Sequence, residues 1–358
     1  MRDLSVQDSI AQALAWLTDF VMHSAGRLLE GFPGWLFDSG NRFYWLYLVA
    51  FVVCGIAAYR LYYAPRADAG TRVTLARALR FMFPAEIYRH PSAIVDYQLV
   101  LMNRLLGPSS FISGLLFGSG AITVVALATQ SWLGAAAGPE HVARAWTPLT
   151  SLAFALGVTL VRDFATYLTH ALHHHVALLW EFHKVHHSAE VLTPVTVYRK
   201  HPIYNVFGRG VDIVIVGPVQ GLFAFWFVGQ AEPMTLLGAN IIFTLFHLAG
   251  ANLRHSHIWL SFGRGVSHIF ISPAQHQIHH SRAERHWNKN FGEVFALWDW
   301  LFGTLYVPGR EREVLEFGIA GTTTNEHPTL LKAYYVPFVN CARLIRDYVR
   351  SSMPARAG

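Results

Sequence analysis

Several things that commonly hold a chain together, or tie it to a partner, are scarce here. The 358 residues include two cysteines, Cys54 and Cys341, which excludes a disulfide scaffold. Charged residues make up 14%, against roughly 25% in a soluble domain. Low charge combined with 53% hydrophobic residues is the reverse of the signature of disorder. No internal repeat or low-complexity tract is present. No GxGxxG stands in a strand–helix context, so a nucleotide or flavin fingerprint is missing. The net charge of +6 is not laid out as a basic stripe interleaved with aromatics, which argues against nucleic acid.

What the chain does have is long apolar runs. A bilayer span needs about 20 mostly apolar residues. Phe43–Tyr63, Phe111–Gly134, Pro148–Val161, Val211–Gly229 and Met234–Leu253 are the candidates, the last two joined by the short turn Gly229–Pro233. Ile10–Phe37, apolar but broken by Asp19, Arg27 and Glu30, reads as an interfacial amphipathic helix. Five spans alternate the connecting segments between two sides. Residues 64–110, 164–210 and 254–358 hold 22 Lys/Arg; residues 1–42, 135–147 and 230–233 hold 4. The positive-inside rule puts the first group in the cytoplasm. The expected fold is an all-α integral membrane bundle of four or five transmembrane helices with a cytoplasmic helical cap. Its divisions are 1–42, an interfacial segment; 43–147, two spans and a basic loop; 148–308, three spans and the chemistry; and 309–358, a helical tail. The expected location is a bacterial inner membrane.

Histidine is in excess: 20 residues, 16 of them between His170 and His286. They form boxes. Asp163, Tyr167, His170 and His174 are spaced four, three and four, on one helical face. His183-x-x-His186-His187 and His276-x-x-His279-His280 repeat the pattern as HxxHH. Buried neutral imidazoles clustered so closely leave unpaired nitrogens, and protonated ones repel. A metal resolves this by taking the lone pairs. No cysteine accompanies the boxes, and eight or nine imidazoles suit two ions with four or five ligands each. Imidazole suits iron, copper, zinc or nickel alike. His255, at the foot of the fifth span, and His201, followed by Pro202, are further candidate ligands, His201 with a capping role as its alternative. His247 lies within the fifth span. Arg199, Arg254 and Trp259 are candidate linings of a lipid head-group pocket.

Three boxes in this order resemble the fatty acid hydroxylase/sterol desaturase superfamily. The flanks are similar too: Asp163 and Tyr167 before the first box, Leu179-Trp180 and Ser188 around the second, Arg199-Lys-His201-Pro202, Asn290-Phe-Gly292, and Trp298-Asp299-Trp-Leu-Phe302-Gly303-Thr304. Asn288 departs from the pattern: the family often has Asp there, and Asn288 is expected to orient a ligating histidine through its amide oxygen instead. The resemblance implies a non-haem di-iron oxygenase that hydroxylates or desaturates a lipid such as a sterol or fatty acyl chain with O₂. It implies two iron ions, and box histidines as ligands, with Asp163 and Tyr167 as supporting catalytic residues. Electrons would come from a separate donor protein on the cytoplasmic face. Arg343, Arg346 and Arg350 share one face of the C-terminal helix and are expected to meet either lipid head groups or that donor.

Other classes are weaker. A bis-histidine haem protein needs one histidine on each of two facing spans near mid-bilayer. A transport-type or non-catalytic metal-binding membrane protein would place ionisable groups at the midplane, often with repeats. A zinc hydrolase needs an acidic base inside the box, as in HExxH.

Overall fold

A computed structural model describes residues 34–38, 40–64, 74–106, 120–228, 243–309, 311–322 and 324–352. The described chain is mostly helical, with almost no strand. Its single sheet among these residues is a two-residue parallel pairing of Arg144–Ala145 with Phe227–Val228.

Four helices are long and apolar enough to cross a membrane: Trp45–Tyr63, Gly120–Ala137, Pro148–His175 and Pro202–Trp226. Helix α1 (Trp45–Ala58) ends in a π-turn, Tyr59–Tyr63. Helices α2 (Leu75–Met82) and α3 (Pro91–Leu106) follow. Helices α4 (Gly120–Ala137), α5 (Pro148–His175) and α7 (Pro202–Trp226) form a bundle, with the second-box helix α6 (Ala177–His187) between the last two in sequence. Helix α5 starts on a capping box, Thr147 with Thr150, and has Pro148 in its first turn, where a missing N–H costs nothing.

Close approach of α7 to α4 is set by Gly217 and Gly221, four apart. A Cβ on Gly217 would lie 2.9 Å from Val125 Cγ1, and one on Gly221 would lie 2.4 Å from the Ala126 carbonyl oxygen. Small residues at this spacing let backbones touch where lipid offers no hydrophobic drive. Gln130 Nε2 donates to Ala224 O at 2.9 Å, so α4 and α7 run parallel. The outward faces carry exposed Val124, Leu127, Trp132, Leu152, Leu156 and Val214.

The expected boundaries shift in places. The fourth span begins at Pro202 rather than Val211, because His201 caps it. The expected second span is described from Gly120 onward; Phe111–Ser119 lie outside the described residues, as do nearly all of Ile10–Phe37 and the Gly229–Pro233 turn with Met234–Ile242. The described remainder of the fifth span is helical from 243 to 248 and breaks at Gly250, φ +96°. Helix α1 does not join the bundle. Asn252 Nδ2 donates to Arg42 O just before it, and Tyr63 OH donates to His257 O at its far end. It lies along the lobe that holds the histidines.

That lobe is completed by α8 (Pro273–His279), α9 (Leu297–Leu301) and α10 (Leu330–Ser352). Helix α10 grips α6 through Asn340 Nδ2, which donates to Glu181 Oε2 at 2.8 Å.

Candidate metal centre

Three helices and one turn deliver the imidazoles. A single residue, Val176, separates α5 from α6, so the first two boxes turn toward each other. Helix α8 starts on a Ser272–Gln275 capping box with Pro273 at its first position, which fixes the third box. His255 follows the short turn Ala251–Leu253.

Nine histidines converge in two groups. His170, His174, His183, His187 and His279 form one; His186, His255, His276 and His280 form the other. Within each group one ring nitrogen per residue lies within 4.8 Å of all the rest. The groups interlock through the HxxHH boxes. In α6 the i, i+4 pair His183/His187 serves the first group and the remaining His186 the second. In α8 the i, i+4 pair His276/His280 serves the second and His279 the first. The HxxHH spacing thus sends one helix to two neighbouring imidazole groups. The groups touch: the rings of His187 and His280 are 4.7 Å apart, and those of His186 and His280 4.5 Å apart within the second group.

The nitrogens fit ions. His170, His174, His279 and His280 each bury an Nε2 with no partner. Nε2 atoms of His183 and His187 are 3.2 Å apart, those of His186 and His255 3.3 Å, and those of His255 and His276 3.0 Å. Two imidazoles bound to one metal at about 2.1 Å with angles of 90–110° have their nitrogens about 3.0–3.4 Å apart. Burial, reinforced by neighbouring rings and, for His255, first by Lys200, Arg42 and Arg254, holds His183, His186, His187, His255, His276 and His280 well below the usual imidazole pKa. Burial brings His279 to about 4. These rings are therefore neutral at pH 7 and offer lone pairs, as metal binding requires. Neither group contains a carboxylate or thiolate.

Other nitrogens are turned by a loop. His170 Nδ1 bonds to Phe291 O and His279 Nδ1 to Lys289 O, both at 2.8 Å. The loop is shaped by Asn288 and Asn290, at φ +54° and +58°. Asn290 donates to Gln275 O, and its Oδ1 accepts from Tyr306 N. Asp299 accepts from the N–H groups of Phe291 and Gly292, both at 2.8 Å, and from Thr304 Oγ1 at 2.6 Å. A Cβ at Gly292 would sit 2.6 Å from Phe295 O and 2.9 Å from Asp299 Oδ2, so glycine is required there. The Asn-Phe-Gly and Trp-Asp-Trp-Leu-Phe-Gly-Thr segments are thus one scaffold beneath two of the imidazoles.

This changes several expected roles. Asp163 touches no imidazole: it accepts from Val294 N, Phe295 N and Trp298 Nε1 and braces the same loop. Tyr167 meets Thr304 Oγ1 at 3.2 Å. Orientation comes from the Lys289 and Phe291 carbonyls rather than from Asp163, while Asn288 supplies the left-handed backbone. His201 stands outside both groups. Its Nδ1 accepts from Ile203 N at the start of α7 and its Nε2 bonds Tyr334 O at 3.1 Å, leaving no nitrogen for a metal. His247 bonds Phe243 O and stacks on Tyr47. Arg199 lines no lipid pocket. Fully buried, it pairs with Asp96 at 2.8 Å and donates to Ser92 O, Val185 O and Ser188 Oγ, tying α3 to α6. Trp259 is buried against Ala274 and Ile278. Arg254 alone of the three lines a cavity, about 60 Å³, walled also by His170, His183, His186, His255 and His276. Sequence reasoning missed Asp96 and Glu293, which carry no motif, and gave Lys200 no role although it lies within Arg199-Lys-His201-Pro202. On α10, Arg346 pairs with Asp347 and Arg343 with Asn340.

Paired groups of neutral imidazoles at the end of a membrane-spanning helix, braced by one polar loop, define a membrane-embedded histidine-box domain. Residues 155–304 match the sequence model of the family described as fatty acid hydroxylase. Over that stretch, less than half of its length, the chain is similar to the hydroxylase/desaturase superfamily. It is 30% identical over 178 residues to an ornithine lipid hydroxylase of Rhizobium tropici, covering 49% of each chain. It is 26% identical over 166 residues to an alkylglycerol monooxygenase of Caenorhabditis elegans, covering 46% of this chain and 29% of that one. It is 28% identical over 170 residues to a cholesterol 25-hydroxylase-like protein of Danio rerio, covering 44% and 53%. The chain spans about half or less of the length of these curated relatives. No solved structure matches it significantly.

Proposed function

We propose that the chain is a membrane-bound non-haem di-iron oxygenase that hydroxylates a lipid, taking O₂ from solution and electrons from a separate protein. The observation that carries this is the pair of adjoining five- and four-imidazole groups, whose buried nitrogens lack other partners. The family match and the relatives, each named as a hydroxylase or monooxygenase, support the reaction class. All-nitrogen donor sets suit iron among several metals; the family favours iron.

His170, His174, His183, His187 and His279 would hold one ion and His186, His255, His276 and His280 the other. The iron pair would supply O₂ activation and the oxidising power that an unactivated C–H bond demands. The chain's own work is placement. Asp299 and Asp163 fix the loop whose carbonyls aim His170 and His279. The rings stay neutral because they are buried. Phe291 and Tyr204 wall the cavity beside the rings and limit water there. The Lys/Arg asymmetry supports a cytoplasmic site, where a soluble donor can dock. The test is purified protein supplied with iron, a chemical reductant and membrane lipid extract: a lipid gaining 16 mass units with matching O₂ consumption is expected. No O₂ consumption with both metal positions filled would contradict it.

A further inference from the structure

A second cavity, about 480 Å³, lies among α4, α5 and α7 and is lined in part by Ile122, Arg162, Arg209 and Asp212. It shares Thr166, Lys200 and Tyr204 with the small cavity beside the imidazoles. A route from between the spans to the histidines therefore passes Lys200.

The charge along this route is lopsided. Arg42, Arg162, Lys200, Arg209 and Arg254 line the two cavities, against Asp212 and Glu293. Glu293 is already paired with Arg42 at 2.8 Å. Arg254 donates to the Glu293 backbone carbonyl, and its Nε is buried without a partner, as is Arg42 Nη1. Lys200 has no hydrogen-bond acceptor among the described residues; its ammonium sits 5.0 Å over the Tyr204 ring. Burial, then Arg42, push its pKa down although Glu293 pulls it up. Both histidine groups are uncharged and without a carboxylate, so any ions they hold add positive charge, and Glu293, the acid in the lining of the adjoining cavity, is already paired with Arg42. Desolvated cations in such a place call for an anion.

We propose that this junction binds an anionic head group, through carboxylate or phosphate oxygens, on the lipid that the chain oxidises. Lys200 is the main counter-charge, with Arg254 and Arg42 flanking it. Calling that lipid the substrate rests on the oxygenase reading above; the binding itself does not. Because Lys200 lines the same 60 Å³ space as His170 and His186, the oxidised C–H bond lies a few carbons from the anion rather than far down a tail.

The test is binding without turnover. Full-length protein in maltoside micelles, with no reductant, is offered oleate or dioleoyl phosphatidate, and in parallel the uncharged oleyl alcohol or dioleoylglycerol. Retained lipid is counted by native mass spectrometry. Charge-assisted contacts predict that the wild type retains the anionic member of each pair at least about tenfold better. Lys200→Met should reduce that preference to about twofold or less, and Lys200→Arg should keep most of it. Equal retention of oleate and oleyl alcohol by the wild type overturns the proposal, and this arm needs no variant to fold. An unchanged preference in Lys200→Met also overturns it. So does inorganic phosphate displacing phosphatidate at equal concentration, which would mark a site for free anions. Metal content is measured on the same samples, and O₂ uptake on a portion of each after a chemical reductant is added. Lysine-dependent anion preference in a metal-loaded protein that consumes no O₂ would sink the oxygenase reading and leave the head-group site standing.

Discussion

In the bundle of α4, α5 and α7, side chains such as Val124, Leu156 and Val214 face outward, and the helices meet through small residues. In the histidine lobe the opposite holds. Asp96, Arg199, Asp299, Asn290 and eight of the nine imidazoles are buried, with His174 partly so, and nearly every carboxylate and amide among them has a named partner. The bundle is specified by composition, so that many apolar sequences would serve. The lobe is specified by individual hydrogen bonds, so that single atoms matter. The difference predicts where substitutions hurt.

The largest effects fall on the imidazoles. His183→Ala or His276→Ala should abolish turnover and remove metal while leaving membrane insertion intact, checked by elemental analysis of membrane-extracted protein. Retained metal and turnover in both variants would erase the distinction between lobe and bundle.

The lobe should also be acid-sensitive where the bundle is not. The seven ligand-candidate imidazoles outside the spans have pKa values below the unfolded value near 6.5. On acidification the unfolded chain therefore takes up protons first. Stability of metal-free protein is full above pH 6.5 and falls as pH drops toward 4, by about 1.4 kcal/mol per pH unit for each such ring. Thermal melts of metal-free protein between pH 7.5 and 5 check this, and loading with metal should blunt the fall. A flat profile would contradict the neutral buried state.

Asp299→Ala strands the N–H groups of Phe291 and Gly292, each worth about 1–3 kcal/mol when unpaired and buried. It should also weaken metal affinity by about 10–100-fold, the usual consequence of losing support behind a ligand. Asp163→Asn keeps shape and one acceptor and should do less of both. Competition with a chelator ranks the two, and the reverse order would move the brace to Asp163.

Smaller effects sharpen the contrast. His201→Ala removes a helix cap, costing about 1 kcal/mol, with metal content unchanged. In the bundle, Gly221→Ala meets the Ala126 carbonyl and should lower the melting temperature, whereas Gly134→Ala meets no atom within 4 Å and should not. If Gly134→Ala is the more harmful, the packing of α4 on α7 is wrong.

Hydropathy made the spans legible, because bilayer thickness sets their length. Spacing made the boxes legible, because i, i+4 is a property of any helix. Which histidine joins which group was not legible: adjacent His186 and His187 part company only because α6 lies between two groups. Asp163 was expected as a supporting residue; that its partner is the loop at Val294 was not legible from spacing. His201, a candidate ligand with a capping role as its alternative, is the cap: Tyr334 and Ile203 take both nitrogens. Lys200 was legible only as part of Arg199-Lys-His201-Pro202 and Glu293 not at all, since only the tertiary fold brings them beside the rings.

The claim on which the rest depends is that the two histidine groups are two metal positions. Metal per chain, measured on protein reconstituted anaerobically with ferrous iron and freed of excess, tests it most directly. The account predicts close to two ions in the wild type and about one fewer in a variant of the group to which the lost ligand belongs, whether His183→Ala in the first or His276→Ala in the second. One ion or none in the wild type, or two in both variants, would contradict it.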